Sequence, residues 1–129
     1  MAFTELTPNC MVEDVAATVD WYERVLGATT VDRMPEAGDD LLWAQVRIGD
    51  VSIMFQERAS LEAELPSFEG AEIGASLTLY VDAEDVRELH GELADEAEVV
   101  LELRETDYGR REFAIADPNG YVLWFGEKV

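Results

Sequence analysis

The chain has 129 residues, enough for one domain with a substantial core, and no apolar run approaches the roughly 20 residues of a membrane span. Its formal net charge is −20, from 29 acidic and 9 basic residues. No basic patch exists to displace phosphate counterions, so nucleic acid is not an expected partner. No charged-then-apolar leader precedes the first strand, which predicts a cytoplasmic protein.

The acidic residues are spread along the whole chain, and Lys128 is the only lysine. Such self-repulsion disfavours the compact state unless salt screens it, and molar salt shortens the Debye length to roughly 3 Å. The composition resembles that of proteins from salt-loving archaea. We therefore expect a halophilic protein with an acid-rich surface, with complementarity to a cationic ligand as the alternative reason for the charge.

The first half of the chain predicts a strand, a helix and three further strands. Asp14 precedes apolar residues at helical spacing, and Gly27 fits the end of that helix. The expected elements are a strand over residues 3–12, a helix over 15–26, a strand over 29–33, a loop over 34–40 and a hairpin over 42–55.

The hairpin has a tight turn at Gly49 and Asp50, and alternation then separates two faces. One face is apolar and should pack on the helix. It holds Ala44, Val46, Ile48, Val51, Ile53 and Phe55, and the opposite face holds Trp43, Gln45, Arg47, Ser52 and Met54.

The second half repeats this order. When the first hairpin is shifted by about 70 positions along the sequence, Ile53 aligns with Leu123, Met54 with Trp124 and Phe55 with Phe125. The turn of this second hairpin is centred on Pro118, and Asp117 is expected to pair with Tyr121. We expect strands over residues 75–81 and 98–103, with a helix opening at residues 84–86. The whole is one domain made of module one (1–57), a linker (58–74) with a helical turn near residue 61, and module two (75–129).

Two motifs carry a resemblance to a known family. They are Met11-Val12-Glu13-Asp14-Val15 followed by Trp21-Tyr22-Glu23-Arg24-Val25-Leu26-Gly27, and the run from Arg111 to Tyr121 containing Asp117-Pro118-Asn119-Gly120. With the doubled order of elements, the chain resembles the vicinal oxygen chelate superfamily, in its glyoxalase/bleomycin resistance protein/dioxygenase group. The resemblance implies an α+β fold of two βαβββ modules in tandem, each a mixed, mainly antiparallel sheet with one helix on its convex face.

Enzymes of that family hold a divalent metal with four side chains, usually His, Glu or Gln. The matching positions here are Thr7, Met54, Ser76 and Trp124. Oxygen-preferring divalent ions need carboxylate or imidazole ligands, so this set is not competent. We therefore expect no metal, no cofactor and no catalytic residue, and lean against an enzyme.

The polar and aromatic face of each module should line a small-molecule site. Two tryptophans there can stack on a flat or cationic ligand, and a glutamate can anchor a positive group. The alternative is that these tryptophans only pack an interface or fill a cleft. The expected ligand-binding residues are Thr7, Asn9, Trp43, Gln45, Met54, Ser76, Tyr80, Glu112 and Trp124.

The leading hypothesis is a metal-free protein of the bleomycin-resistance type that binds an amphipathic or cationic ligand in a cleft between sheets. The alternative is a metal-dependent lyase, isomerase or dioxygenase whose ligands are displaced to Glu5, Gln56, Glu57 or Glu112. A third possibility is a stress or scaffold module whose dimer matters rather than its cleft. The resemblance also implies a homodimer.

Overall fold

The structure is a computed structural model that describes all residues, 1–129. The chain divides into two compact units, Met1–Ile73 and Gly74–Val129. The first contains β1 (Asn9–Val12), α1 (Val15–Leu26), β2 (Thr29–Met34), β3 (Trp43–Ile48), β4 (Val51–Glu57), α2 (Arg58–Glu64) and a short 3-10 turn (Pro66–Phe68). The second contains β5 (Thr78–Asp82), α3 (Val86–Leu93), β6 (Glu98–Glu105), β7 (Arg110–Ala116) and β8 (Val122–Lys128).

In the first unit the strand order is β1-β4-β3-β2, with β1 parallel to β4 and the other pairs antiparallel. The side chain of Asp14 caps α1 by accepting from the Ala17 N–H at 2.9 Å, and Gly27 ends the helix in the left-handed conformation. The helix packs on the apolar face of the sheet, where the rings of Tyr22 and Phe55 lie 4.8 Å apart. The predicted helix is confirmed.

The predicted hairpin register is also confirmed, since Val46 lies opposite Ile53 and Arg47 opposite Ser52. The strand predicted over residues 3–12 is wrong in its first half, because β1 begins at Asn9. Phe3 is exposed, so the apolar residues before Pro8 bury no surface that would hold them against the sheet.

The segment expected as a linker contains more structure than one helical turn. Helix α2 packs against β1 and β4 and therefore belongs to the first unit. Its side chains close one end of the sheet face opposite α1, where the buried Gln56 amide nitrogen donates to Ser60 and Glu64 and its oxygen accepts from Asn9. A buried amide needs such partners, so this end of the face is filled by protein.

The second unit repeats the first with strand order β5-β8-β7-β6. The predicted pairing of the last hairpin is confirmed, since Phe113 lies opposite Phe125 and the Asp117 N–H donates to the Tyr121 carbonyl at 2.8 Å. Helix α3 covers the apolar face, with His90 edge-on to Phe113 at 5.1 Å between ring centroids.

Two details differ from the sequence prediction. Strand β5 begins at Thr78 rather than residue 75, because Ser76 has a left-handed φ of 70° that interrupts extended backbone. The start of α3 is not capped by Asp85, although the sequence there echoes the start of α1. The Val86 N–H donates instead to Glu127 of β8 at 2.6 Å.

The two four-stranded mixed sheets, each with a helix on its apolar face, have the fold of two tandem βαβββ modules. The predicted α+β fold class is therefore confirmed. No helix combines the length and the apolar character that crossing a membrane requires.

Candidate functional site

Three of the predicted ligand-binding residues meet on the second sheet, on the face opposite α3, which we call the open face. Tyr80 of β5 is paired with Trp124 of β8, and Glu112 of β7 is paired with the next open-face residue of β8, Gly126. The strand order β5-β8-β7 therefore puts β8 between Tyr80 and Glu112. The Tyr80 side chain spans β8 to reach the carboxylate.

Glu112 is a carboxylate held under aromatic side chains. It is only 2% exposed, and its two oxygens accept from the phenol hydroxyls of Tyr80 at 2.7 Å and Tyr108 at 3.0 Å. The Arg104 guanidinium lies 3.7 Å from Oε1. Since both oxygens are engaged, Glu112 lies beneath the tyrosines and does not present a free carboxylate to a ligand.

Burial by itself would raise the pKa of Glu112, because removal from water disfavours the charged form. Hydrogen bonds from Tyr80 and Tyr108, the nearby Trp124 indole N–H and the charge of Arg104 act in the opposite direction and together hold the pKa below its ordinary value. The site therefore contains a buried, ionised carboxylate.

Tyr80 is an exposed member of the site, with 46% of its surface accessible. Burial of its hydroxyl and the hydrogen bond to Glu112 raise the pKa of Tyr80, so the phenol keeps its proton. Its oxygen also accepts from Arg110 Nε at 3.2 Å and Nη2 at 3.1 Å, and Arg110 is itself paired with Asp82. With donor and acceptor roles filled, the hydroxyl is fixed and the ring is what Tyr80 offers.

The indole of Trp124 continues this aromatic surface, with its ring centroid 6.0 Å from that of Tyr80. Its buried Nε1–H makes no hydrogen bond, although it lies near enough to Glu112 to help lower the pKa of that carboxyl. Tyr80 and Trp124 together form an aromatic platform above a buried anion, an arrangement suited to stacking on a flat or positively charged group.

In the first unit the open face, opposite α1, brings together four further predicted residues. Met54 lies opposite Asn9 on one side and Gln45 on the other, and Trp43 lies opposite Gln56. Trp43, Gln45 and Met54 are partly buried. Asn9 is exposed but committed to Gln56 through its amide, so this face is mixed polar and apolar rather than an aromatic platform.

Thr7 and Ser76 lie outside the strands. The Thr7 hydroxyl donates to Glu5, and Ser76 is exposed in the left-handed conformation. Thr7 and Ser76 do not occupy equivalent positions in the two units. Asn9 pairs with Met54 in the first sheet, and Tyr80 pairs with Trp124 in the second, so Asn9 is equivalent to Tyr80. Thr7, two residues before Asn9, is therefore equivalent to Thr78 and not to Ser76. The sequence could not reveal this offset, because it depends on strand register.

The residues at the family's metal positions do not fit a divalent ion. They supply two hydroxyls, a thioether and an indole. If Thr78 is taken as the equivalent position in place of Ser76, the set still contains two hydroxyls. Nowhere do three His, Cys, Asp or Glu side chains form a group that could hold a metal ion. The proposed displaced ligands already have partners or roles: Glu57 caps α2 through Ser60 N, and the oxygens of Glu112 accept from phenols.

Sequence reasoning missed Tyr108, Arg104, Arg110 and Gly126. Tyr108 lies in the turn before β7, where alternation does not predict which face a side chain joins. Gly126 lies on the open face of β8, but a single glycine in a strand gives no sign of the side chain that will cross it. The structure reveals Tyr108 through its bond to Glu112, and Gly126 through the position of Tyr80.

A cavity of about 680 Å³ lies elsewhere in the first unit, between α1 and the segment after it. It is lined by residues of α1, β2 and the β2–β3 loop, including five carboxylates, and by none of the predicted ligand-binding residues. Its acids are Asp20, Glu23, Asp32, Glu36 and Asp39. The aromatic platform, not this cavity, collects the side chains that the sequence singled out.

Comparison with known proteins gives a consistent result. The chain is 26% identical over 126 residues to the uncharacterized protein Mb0911c of Mycobacterium bovis, covering 96% of this chain and 83% of that one. Its structure is similar to that of TioX from Micromonospora sp. ML1, with a TM-score of 0.75 at 20% identity, covering 98% of this chain and 100% of the other.

A second similar structure is a bleomycin-binding protein from bleomycin-producing Streptomyces verticillus, complexed with copper(II)-bleomycin. Its TM-score is 0.67 at 22% identity, covering 97% of this chain and 96% of that one. Likeness at such identities shows the shared fold. The family model described as Glyoxalase/Bleomycin resistance protein/Dioxygenase superfamily matches residues 7–125. Two tandem βαβββ modules and a match over nearly the whole chain establish that this protein belongs to the Glyoxalase/Bleomycin resistance protein/Dioxygenase superfamily.

Proposed function

We propose that this protein is a metal-free small-molecule-binding protein of the bleomycin-resistance type, which holds an amphipathic or cationic ligand against the open faces of its sheets. The observation that carries the proposal is the aromatic platform of Tyr80 and Trp124 above the buried carboxylate of Glu112. The structurally similar bleomycin-binding protein supports the class of function, since its structure contains a bound small molecule.

The ligand interacts mainly by stacking. Tyr80 is anchored at its hydroxyl by Glu112 and Arg110, so little ring motion is lost when a ligand binds. An aromatic contact of this kind is worth about 0.5–1.5 kcal/mol beyond its buried area. At low ionic strength the field of a chain with net charge −20 raises the local concentration of cations, which favours a positively charged ligand. In molar salt this long-range part is screened, and only charges close to the ligand, such as Glu112, still act on it.

The assembly and its setting are part of the same proposal. The protein is a cytoplasmic homodimer whose acid-rich surface is adapted to high salt. It has no nucleic-acid partner, because the ion pairs of Arg58, Arg110 and Arg111 leave few free cations to bind phosphates.

A thermal-shift screen in molar sodium chloride tests the function, because binding to the folded state must raise the melting temperature. Its probes are planar aromatic cations, uncharged aromatic metabolites, and divalent metals. We expect planar aromatic compounds to raise the melting temperature and metals to leave it unchanged.

Variants of Tyr80 then localise the binding. Tyr80→Leu removes the ring and should weaken binding about 2–10-fold, the range that one aromatic contact supplies. Tyr80→Phe is the matched control, which keeps the ring and should retain most of the affinity. Stoichiometric nickel, zinc, iron or manganese in the purified protein, or equal binding by the Leu and Phe variants, would contradict the proposal.

A further inference from the structure

Gly126 occupies the point at which Tyr80 passes over β8. It lies opposite Glu112 on one side and Asp82 on the other, in the middle of the open face. Its backbone has no left-handed φ, so the turn chemistry that usually explains a glycine does not apply here. A glycine inside a strand otherwise weakens it, and often marks close approach by another group.

That group is Tyr80. A β-carbon added at Gly126 would overlap the Tyr80 hydroxyl oxygen and would lie 2.8 Å from Cζ and 3.3 Å from Arg110 Nη2. The two Tyr80 atoms would be far inside van der Waals contact and the arginine nitrogen would be tight, so a side chain at position 126 requires Tyr80 to shift. Tyr80 is the partner that can move, because the clashing atoms are the far end of its side chain and not backbone.

Displacing Tyr80 changes the chemistry that the open face presents. The phenol supplies one of the two hydrogen bonds to Glu112 and covers a carboxylate that is only 2% exposed. Without that phenol, Oε2 loses the hydroxyl that now donates to it and must be solvated or bound by another donor. The same strand framework would then present a carboxylate where it now presents an aromatic ring.

We propose that Gly126 is a specificity-determining residue: by leaving space for Tyr80 over β8, it makes a ligand on this face meet an aromatic ring with the Glu112 charge covered beneath it. The inference rests on the proposed function for its consequence in binding. The position of Tyr80 itself can be tested without any ligand. A residue with a side chain at position 126 selects cationic ligands more strongly, because it uncovers the anion.

The first experiment measures the position of Tyr80 by NMR of the protein labelled with ¹³C at tyrosine Cζ, with Tyr80→Phe to assign the signal. In the unsubstituted protein the Tyr80 phenol should titrate at higher pH than an exposed tyrosine, because burial and the bond to Glu112 hold its proton. Gly126→Ala should return that titration toward the ordinary range. Gly91→Ala, at a helical glycine with open space around it, is the matched control and should leave the signal unchanged.

A double-mutant cycle guards against a general loss of folding. Gly126→Ala should lower the melting temperature in the unsubstituted protein but not in a Tyr80→Ala background, where no side chain crosses the site. An equal loss in both backgrounds, or an unchanged Tyr80 titration in Gly126→Ala, would overturn the proposal.

The binding experiment compares acridine, uncharged at mildly alkaline pH, with N-methylacridinium, which has the same shape and a positive charge. Gly126→Ala should shift the ratio of dissociation constants toward the cation by about tenfold, which corresponds to about 1.4 kcal/mol. An unchanged ratio would refute the role in specificity. If neither compound binds the unsubstituted protein, the proposed function fails, and the NMR titration and the stability cycle decide whether Gly126 positions Tyr80.

Discussion

Replacing Glu112 by glutamine measures how much the buried carboxylate contributes to the fold. Glutamine has the same shape, but its amide nitrogen is a donor, so one of the two phenol hydroxyls loses its acceptor. Loss of a hydrogen bond to a charged group costs about 1.5–3 kcal/mol. The surviving phenol bond loses its charge assistance, which adds to the cost, while relief of the desolvated charge offsets part of it.

We therefore expect Glu112→Gln to lower the free energy of unfolding by about 2–3 kcal/mol near neutral pH. The measurement is urea unfolding in molar sodium chloride. Glu98→Gln is the control for the change in net charge, because Glu98 is exposed on β6 and accepts no side-chain hydrogen bond. It should change stability by less than about 0.5 kcal/mol.

The pH dependence of the difference identifies its cause. The pKa of Glu112 is lowered in the folded state, so the stability that its ionised form contributes is present above the unfolded-state pKa and is lost as pH falls through the folded-state pKa. The gap between the unsubstituted protein and Glu112→Gln should be constant above about pH 5 and shrink progressively below about pH 4. A gap independent of pH, or equal stability of the two glutamine variants at neutral pH, would refute the reasoning.

Three further predictions concern the turn, the helix starts and the charge. Asp117→Ala should cost about 1–3 kcal/mol, because its carboxylate accepts two backbone N–H groups in the last hairpin, whereas Asp117→Asn keeps an acceptor and should recover most of the loss in urea unfolding. Asp14→Ala should cost about 1 kcal/mol as the loss of a helix cap, while Asp85→Gly removes no cap bond and suits the left-handed φ of 52° at that position, so it should cost clearly less; equal losses would contradict the assignment of the caps. Raising sodium chloride from about 0.1 M to about 1 M should raise the melting temperature, since the Debye length falls from about 10 Å to about 3 Å, and a flat or falling curve would count against salt adaptation.

The sequence predicts the fold well where side-chain alternation and turn chemistry agree. The last hairpin is the clearest case, because Pro118 and Gly120 define a turn and the apolar residues on either side alternate with it. It predicts strand starts poorly where no apolar pattern marks the boundary. Residues before Pro8 contain apolar side chains at loose spacing, yet these side chains stay exposed.

Alternation correctly assigns Tyr80, Glu112 and Trp124 to one face, but not what they do to one another. Whether a glutamate on a sheet face is free or covered depends on neighbours from other strands and turns, here Tyr80 on β5 and Tyr108 before β7. Such contacts join residues that are distant in sequence, and no local pattern encodes them. The same limit explains the offset between Thr7 and Ser76, which depends on which residues of parallel strands face each other.

The capping of α3 by Glu127 has a consequence for the order of events during synthesis. The cap of α1 comes from a residue three positions from its partner, whereas that of α3 comes from one 41 positions later, and β5 has β8 as its hydrogen-bonded neighbour. As the chain leaves the ribosome, α1 can therefore acquire a finished start at once, while α3 and β5 must wait for β8. Until β8 is in place, the apolar side of α3 lacks part of the sheet that it covers, so the hazard of misassembly in the second unit is concentrated before β8 pairs with β5.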